Sequence, residues 1–125
     1  MSEHPSAVRY RRTVAAMNAG ELASFGDSVA DDVVWWEIGA SEPVRGRGAV
    51  VERLSFVSDF DVSIDLHDVT TSDDHLIALL GVTATRGDET FTYRVAEIQH
   101  LNDAGEITER WSFSDDTQAV IDFFS

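Results

Sequence analysis

The stretch HLIALLGVTATRGDETFTYRVAEIQHL, residues 75–101, alternates in character with a period of two on both sides of Arg86-Gly87-Asp88-Glu89. That is the period of a β-strand, whose successive side chains point to opposite faces. A break this short leaves no room for a crossover, so strands over 75–86 and 90–101 are expected to be antiparallel neighbours. The same period extends outward to strands over 60–71 and 106–114. Ser72-Asp73-Asp74 and Asn102-Asp103-Ala104-Gly105 are the turn clusters between them.

Before Phe60 the period is close to 3.6. Residues 5–18 place Ala7, Tyr10, Val14 and Met17 at helical spacing, with Arg9, Arg11 and Arg12 mostly on the other side. Asn18-Ala19-Gly20 ends that helix, and Leu22, Phe25 and Val29 predict a shorter one over 20–30. A strand over 32–38 follows, then a loop GASEPVRGRG. A third helix over 49–57 has Val50, Leu54 and Val57 inward. The tail TQAVIDFF reads as a final helical turn or an extension packed at an edge. Three helices and then a long meander give one α+β domain, with helices covering one face of an antiparallel sheet.

The chain has 125 residues, 43% of them hydrophobic, enough for a real core without disulfides, since there is no Cys. Its 23 acidic and 9 basic residues give a net charge of −14, and every basic residue is Arg. Such a surface is a poor partner for nucleic acid and for anionic membranes, both of which are bound through basic groups. No segment approaches the ~20 apolar residues of a membrane span, and MSEHPSAVRYRR lacks the apolar core of a signal peptide, so the expected compartment is the cytoplasm. The lysine-free acidity fits either a salt-rich cytoplasm or a GC-rich genome. His4, His67, His75 and His100 have no short metal-ligand spacing, and no metal or cofactor is implied. GRGAVVERL lacks the strand and third glycine of a dinucleotide fingerprint and reads as a helix-entry loop.

VVWWEIG, residues 33–39, sets the carboxylate of Glu37 in an apolar, aromatic run. A buried, unpaired carboxylate costs several kcal/mol or changes its pKa, so Glu37 either faces solvent, meets an Arg, or serves a site. By period two, Glu97 and Gln99 share one strand face, and Ile98 and His100 the other. His100 is a general base or, more simply, a satisfied or interface histidine.

The order of these elements, with VAAMNAGELASF, VADDVVWWEIGASEPVRGRGAVVERL and YRVAEIQHLNDAGEITERW at this spacing, resembles the NTF2-like superfamily and its SnoaL-like, ketosteroid-isomerase-like branch. The resemblance covers nearly the whole chain. It implies a cone-shaped fold with a strongly bent antiparallel sheet, an apolar cavity, and a homodimer formed across the sheet. It puts the catalytic carboxylate of the isomerases at Glu37 and their two oxygen-binding donors at Gln99 and Thr13, where a stronger acid and a tyrosine would be expected. Steroid isomerisation is therefore not expected.

The implied set is Glu37 and Gln99 as catalytic residues, with Tyr10, Thr13, Trp35, Phe56, Glu97, Arg110 and Ser112 lining a site for a small apolar molecule. Trp111 and Phe113 would face the other way. An inward Arg110 would pair with Glu37 or Glu97. The functions implied are proton transfer next to a carbonyl, a ligand-binding or dimerising module without chemistry, or epoxide hydrolysis.

Overall fold

The structure, a computed structural model, describes residues 3–21 and 25–125, apart from the side chain of Ser58. Alternation in β4 (His75–Arg86) buries Leu76, Ala78, Leu80, Val82 and Ala84 on one face. β4 pairs antiparallel with β5 (Glu89–Leu101) through an unbroken register from Arg86↔Glu89 to His75↔His100. β3 (Ser63–Thr71) joins the other edge of β4, and β6 (Ile107–Ser114) the other edge of β5, each with one register shift. β1 (Val29–Trp35) lies beside β6, and β2 (Val44–Arg45) beside β1, giving the order β2-β1-β6-β5-β4-β3.

The sheet is mixed, which corrects the all-antiparallel expectation. β1 runs parallel to β6 because the chain passes through β2, a helix and three strands before it returns beside β1. β1 also starts earlier than predicted. Val29 and Ala30 are buried strand residues, and Asp31 and Asp32 are both exposed where the register shifts, so the acidic pair interrupts the alternation. Val29 thus belongs to the strand and not to a helix over 20–30; Leu22 of that expected helix lies outside the described residues.

α1 (Pro5–Asn18) starts at His4, whose side chain accepts from the Ser6 N–H, with Pro5 in the first turn where its missing N–H is not needed. Ala7, Tyr10 and Val14 are its buried stripe. Its C-terminal end is tied to β3 by Asn18, whose side chain accepts from Ile64 N at 2.7 Å and donates to Ile64 O at 2.8 Å. α2 (Arg47–Ser58) buries Val50, and α3 (Thr117–Phe123) is capped by the Asp116 side chain and buries Val120. Phe60, Phe91, Phe123 and Phe124 pack edge to face or tilted at centroid separations of 5.1–6.1 Å, joining α3 to the end of the sheet. No helix among the described residues is long and apolar enough to cross a membrane.

Candidate functional site

The inner sheet face and the helices leave between them a cavity of about 690 Å³. Its walls are mostly apolar, including Trp35, Leu80, Val82 and Val95. Strand periodicity also brings polar side chains inward. Glu97 and Gln99 from β5, and Arg110 and Ser112 from β6, line the cavity together because Gln99 pairs with Arg110 and Glu97 with Ser112 in the register.

These four residues form the cavity's polar floor. Glu97, Gln99 and Ser112 are only 6%, 2% and 4% exposed. Gln99 Nε2 donates to Glu97 Oε1 at 2.6 Å, and Arg110 Nη2 donates to Glu97 Oε2 at 3.3 Å. Arg110 Nη1 also donates to the Trp36 carbonyl at 3.2 Å, and the guanidinium lies 4.1 Å from the centroid of the Trp35 ring. That is close enough for a cation–π contact, and a partly desolvated one is stronger than its exposed counterpart. Arg110 Nε and Ser112 Oγ are buried without a hydrogen-bond partner. Buried polar groups nearly always have one, so both are unused donors set just behind the cavity lining.

Tyr10 reaches the same floor from α1. Burial, then the negative charge of Glu97 and a hydrogen bond to it, hold its phenol pKa far above the ordinary value, against the opposing pull of Arg110. Tyr10 is therefore a protonated donor toward the carboxylate. Tyr93, on another wall, is pushed up to about 12 by burial, with Arg110 opposing.

Glu37 lines the cavity from just beyond the end of β1, in the loop and not in the strand. Its partner is Arg53 on α2, whose Nε donates to both carboxylate oxygens at 2.9 and 2.7 Å. Arg110 pairs with Glu97 alone of the two carboxylates considered from the sequence. Arg53 was absent from the expected set, since nothing in the spacing of residues 37 and 53 signals a contact across a loop and a helix.

Thr13 lines the cavity, but its hydroxyl donates to the Arg9 carbonyl of its own helix at 3.0 Å. Phe56 is a correction. It is exposed and does not line the cavity, because the inward stripe of α2 runs through Val50, Leu54 and Val57; Phe56 instead packs against Phe60 and beneath Arg53. His100 is on the outer sheet face, against His75 and Trp111. Arg47 is held by Asp31 and the Val29 carbonyl, away from the cavity. Among the described residues no three His, Asp or Glu side chains are grouped to hold a metal ion.

A sequence profile for the SnoaL-like domain matches residues 10–110. The chain belongs to the SnoaL-like domain family. Solved structures of the same shape include Bal32a from a soil-derived mobile gene cassette, 21% identical over 96% of each chain with a TM-score of 0.86. Another is SalBIII, an epoxide hydrolase/cyclase-like enzyme in pyran ring formation in the polyether salinomycin, at 13% identity over 90% of this chain and 92% of that one, TM-score 0.80. A third is an LEH-like epoxide hydrolase from M. tuberculosis, at 15% identity over 91% and 86%, TM-score 0.78. At these identities the likeness establishes the fold of this SnoaL-like chain. No curated protein matches it.

Proposed function

We propose that this SnoaL-like protein binds a small, neutral, mostly apolar molecule bearing an oxygen, and moves a proton beside that oxygen with Glu97. The observation behind this reading is the pair of unused buried donors, Arg110 Nε and Ser112 Oγ, beside a buried carboxylate in an apolar cavity. An oxygen accepting from either, admitted by a small shift of the side chains that cover them, would satisfy it and bring its neighbouring atoms to Glu97. The charges support a neutral ligand. Glu97 is balanced by Arg110 and Glu37 by Arg53, so a neutral molecule enters without unpairing either acid.

Gln99 and Tyr10 act as positioning donors on Glu97 in this account, and Glu37 with Arg53 forms a second polar contact for the ligand. Glu97 takes the role that the resemblance gives to Glu37, because it is the more enclosed carboxylate, its side chain 8% exposed against 28% for Glu37. Epoxide opening is the second reading, favoured by the Glu97–Arg110 pair: the carboxylate would take a proton from the water that attacks a ring carbon, the ring C–O bond would break, and the alkoxide, held by an Arg110 or Ser112 donor, would receive that proton back from Glu97 to give the diol.

The test is a binding and turnover screen with enones, β,γ-unsaturated ketones and apolar epoxides, run beside Glu97→Gln and Glu37→Gln. Turnover that falls about 10²–10⁴-fold in Glu97→Gln, and much less in Glu37→Gln, supports the assignment. Binding without turnover in all three proteins makes this a ligand-binding module.

The outer sheet face offers a place for a second copy. Ile77, Leu79 and Phe113 are exposed there, around Ile98 and Trp111 of neighbouring strands. On a chain of net charge −14 a face with an uncharged centre is where two copies meet with least repulsion, so the protein is proposed to be a homodimer through this face.

A further inference from the structure

The cavity runs between the two ends of the sheet, and the two ends are bounded differently. At one end it is bounded by Gly39 to Glu42 and by Ile121 and Phe124 around α3. At the other it is bounded by Arg9 of α1 and Gly105 of the β5–β6 turn. There Arg9 Nη1 donates to the Gly105 carbonyl at 2.7 Å. We infer that the Arg9 side chain is the end wall of the ligand cavity and sets the length of the longest ligand it accepts. This rests on the proposed binding of a neutral apolar molecule.

One half of this wall is fixed and the other movable. The turn is built on Asn102, whose side-chain oxygen accepts from Ala104 N at 3.0 Å and Glu106 N at 2.9 Å, while Gly105 N donates to the Asn102 carbonyl at 2.9 Å. The Gly105 carbonyl is thereby held in place. Arg9 is an exposed residue on a long, flexible stem, and this hydrogen bond spans 96 residues of chain. Gly105 has a φ of +79°, and a Cβ there would run into the Arg9 guanidinium. The absence of a side chain at residue 105 is thus what lets the guanidinium close onto the turn.

Straight-chain methyl ketones of increasing length, titrated against the protein by tryptophan fluorescence with Trp35 as a cavity wall, test this directly. The wild-type protein is expected to gain about fourfold in affinity per added methylene until the chain meets Arg9, and then to level off. In Arg9→Ala the gain should continue for further members of the series. Gly105→Ala, which displaces the guanidinium without removing it, should do the same. Levelling at the same chain length in all three proteins would overturn the end-wall role and leave the ligand reading intact. Failure of every ketone to bind any of the three would overturn both.

Discussion

Gln99 Nε2 and Glu97 Oε1 lie 2.6 Å apart with both side chains buried on one face of β5. Residues two apart on a strand normally stand side by side on the face without bonding, so this contact commits the amide to the carboxylate. With Arg110 on the other oxygen, Glu97 is held from two sides.

Removing Arg110 should therefore be costly. Arg110→Met leaves a buried carboxylate without its counter-charge and should destabilise the fold by about 3–5 kcal/mol. The double variant with Glu97→Gln should be more stable than Arg110→Met alone, because the uncompensated charge is gone. Urea unfolding of the two variants measures the difference, and equal stabilities would count against a charged Glu97.

Gly39 approaches α3 at a φ of +74°, and a Cβ there would lie 2.6 Å from Ile121 Cδ1 and 2.8 Å from Thr117 Cγ2. Gly39→Ala adds left-handed strain and a clash. It should cost about 1–2 kcal/mol, read as a lowered melting temperature.

Both tyrosines of the chain, Tyr10 and Tyr93, are buried with raised pKa values, the second to about 12. Their stabilising effect is fully present below the unfolded value near pH 10 and is lost as pH rises through the folded values. Above pH 10 the unfolded chain releases protons that the native state retains. Stability should then fall by about 1.4 kcal/mol per pH unit for each tyrosine. Melting between pH 9 and 12 should show this decline, and Tyr93→Phe should flatten it. Phenolate absorbance that rises around pH 10 in the folded protein would contradict it.

Phe113, the most exposed of the large hydrophobic residues among those described, belongs to the proposed dimer face. Phe113→Asp should convert the dimer to a monomer in sedimentation equilibrium without lowering ligand affinity. A wild-type protein that sediments as a monomer would end the dimer proposal.

The sheet and the cavity floor were largely legible in the sequence. Period two defined β4 with its observed ends and put Glu97 and Gln99 on one face of β5, and the family resemblance turned that face, with Arg110 and Ser112, toward the cavity. The contacts that escaped are those that no local pattern encodes. Arg53 meets Glu37, and Arg9 meets Gly105, across segments of unrelated periodicity. The parallel pairing of β1 with β6 was hidden for the same reason, and the start of β1 because Asp31 and Asp32 interrupt its alternation. Phe56 was misjudged because α2 buries Val50 and only part of Leu54 and Val57, leaving a helix whose apolar residues do not all face inward.

The most direct test of the central claim is proton exchange on a bound ketone. A methyl ketone incubated with the protein in heavy water, and followed by NMR, should exchange its α-protons faster with the wild-type chain than with Glu97→Gln by about 10²–10⁴-fold. Exchange that persists in Glu97→Gln and disappears in Glu37→Gln would contradict the account and return the base to the carboxylate of VVWWEIG.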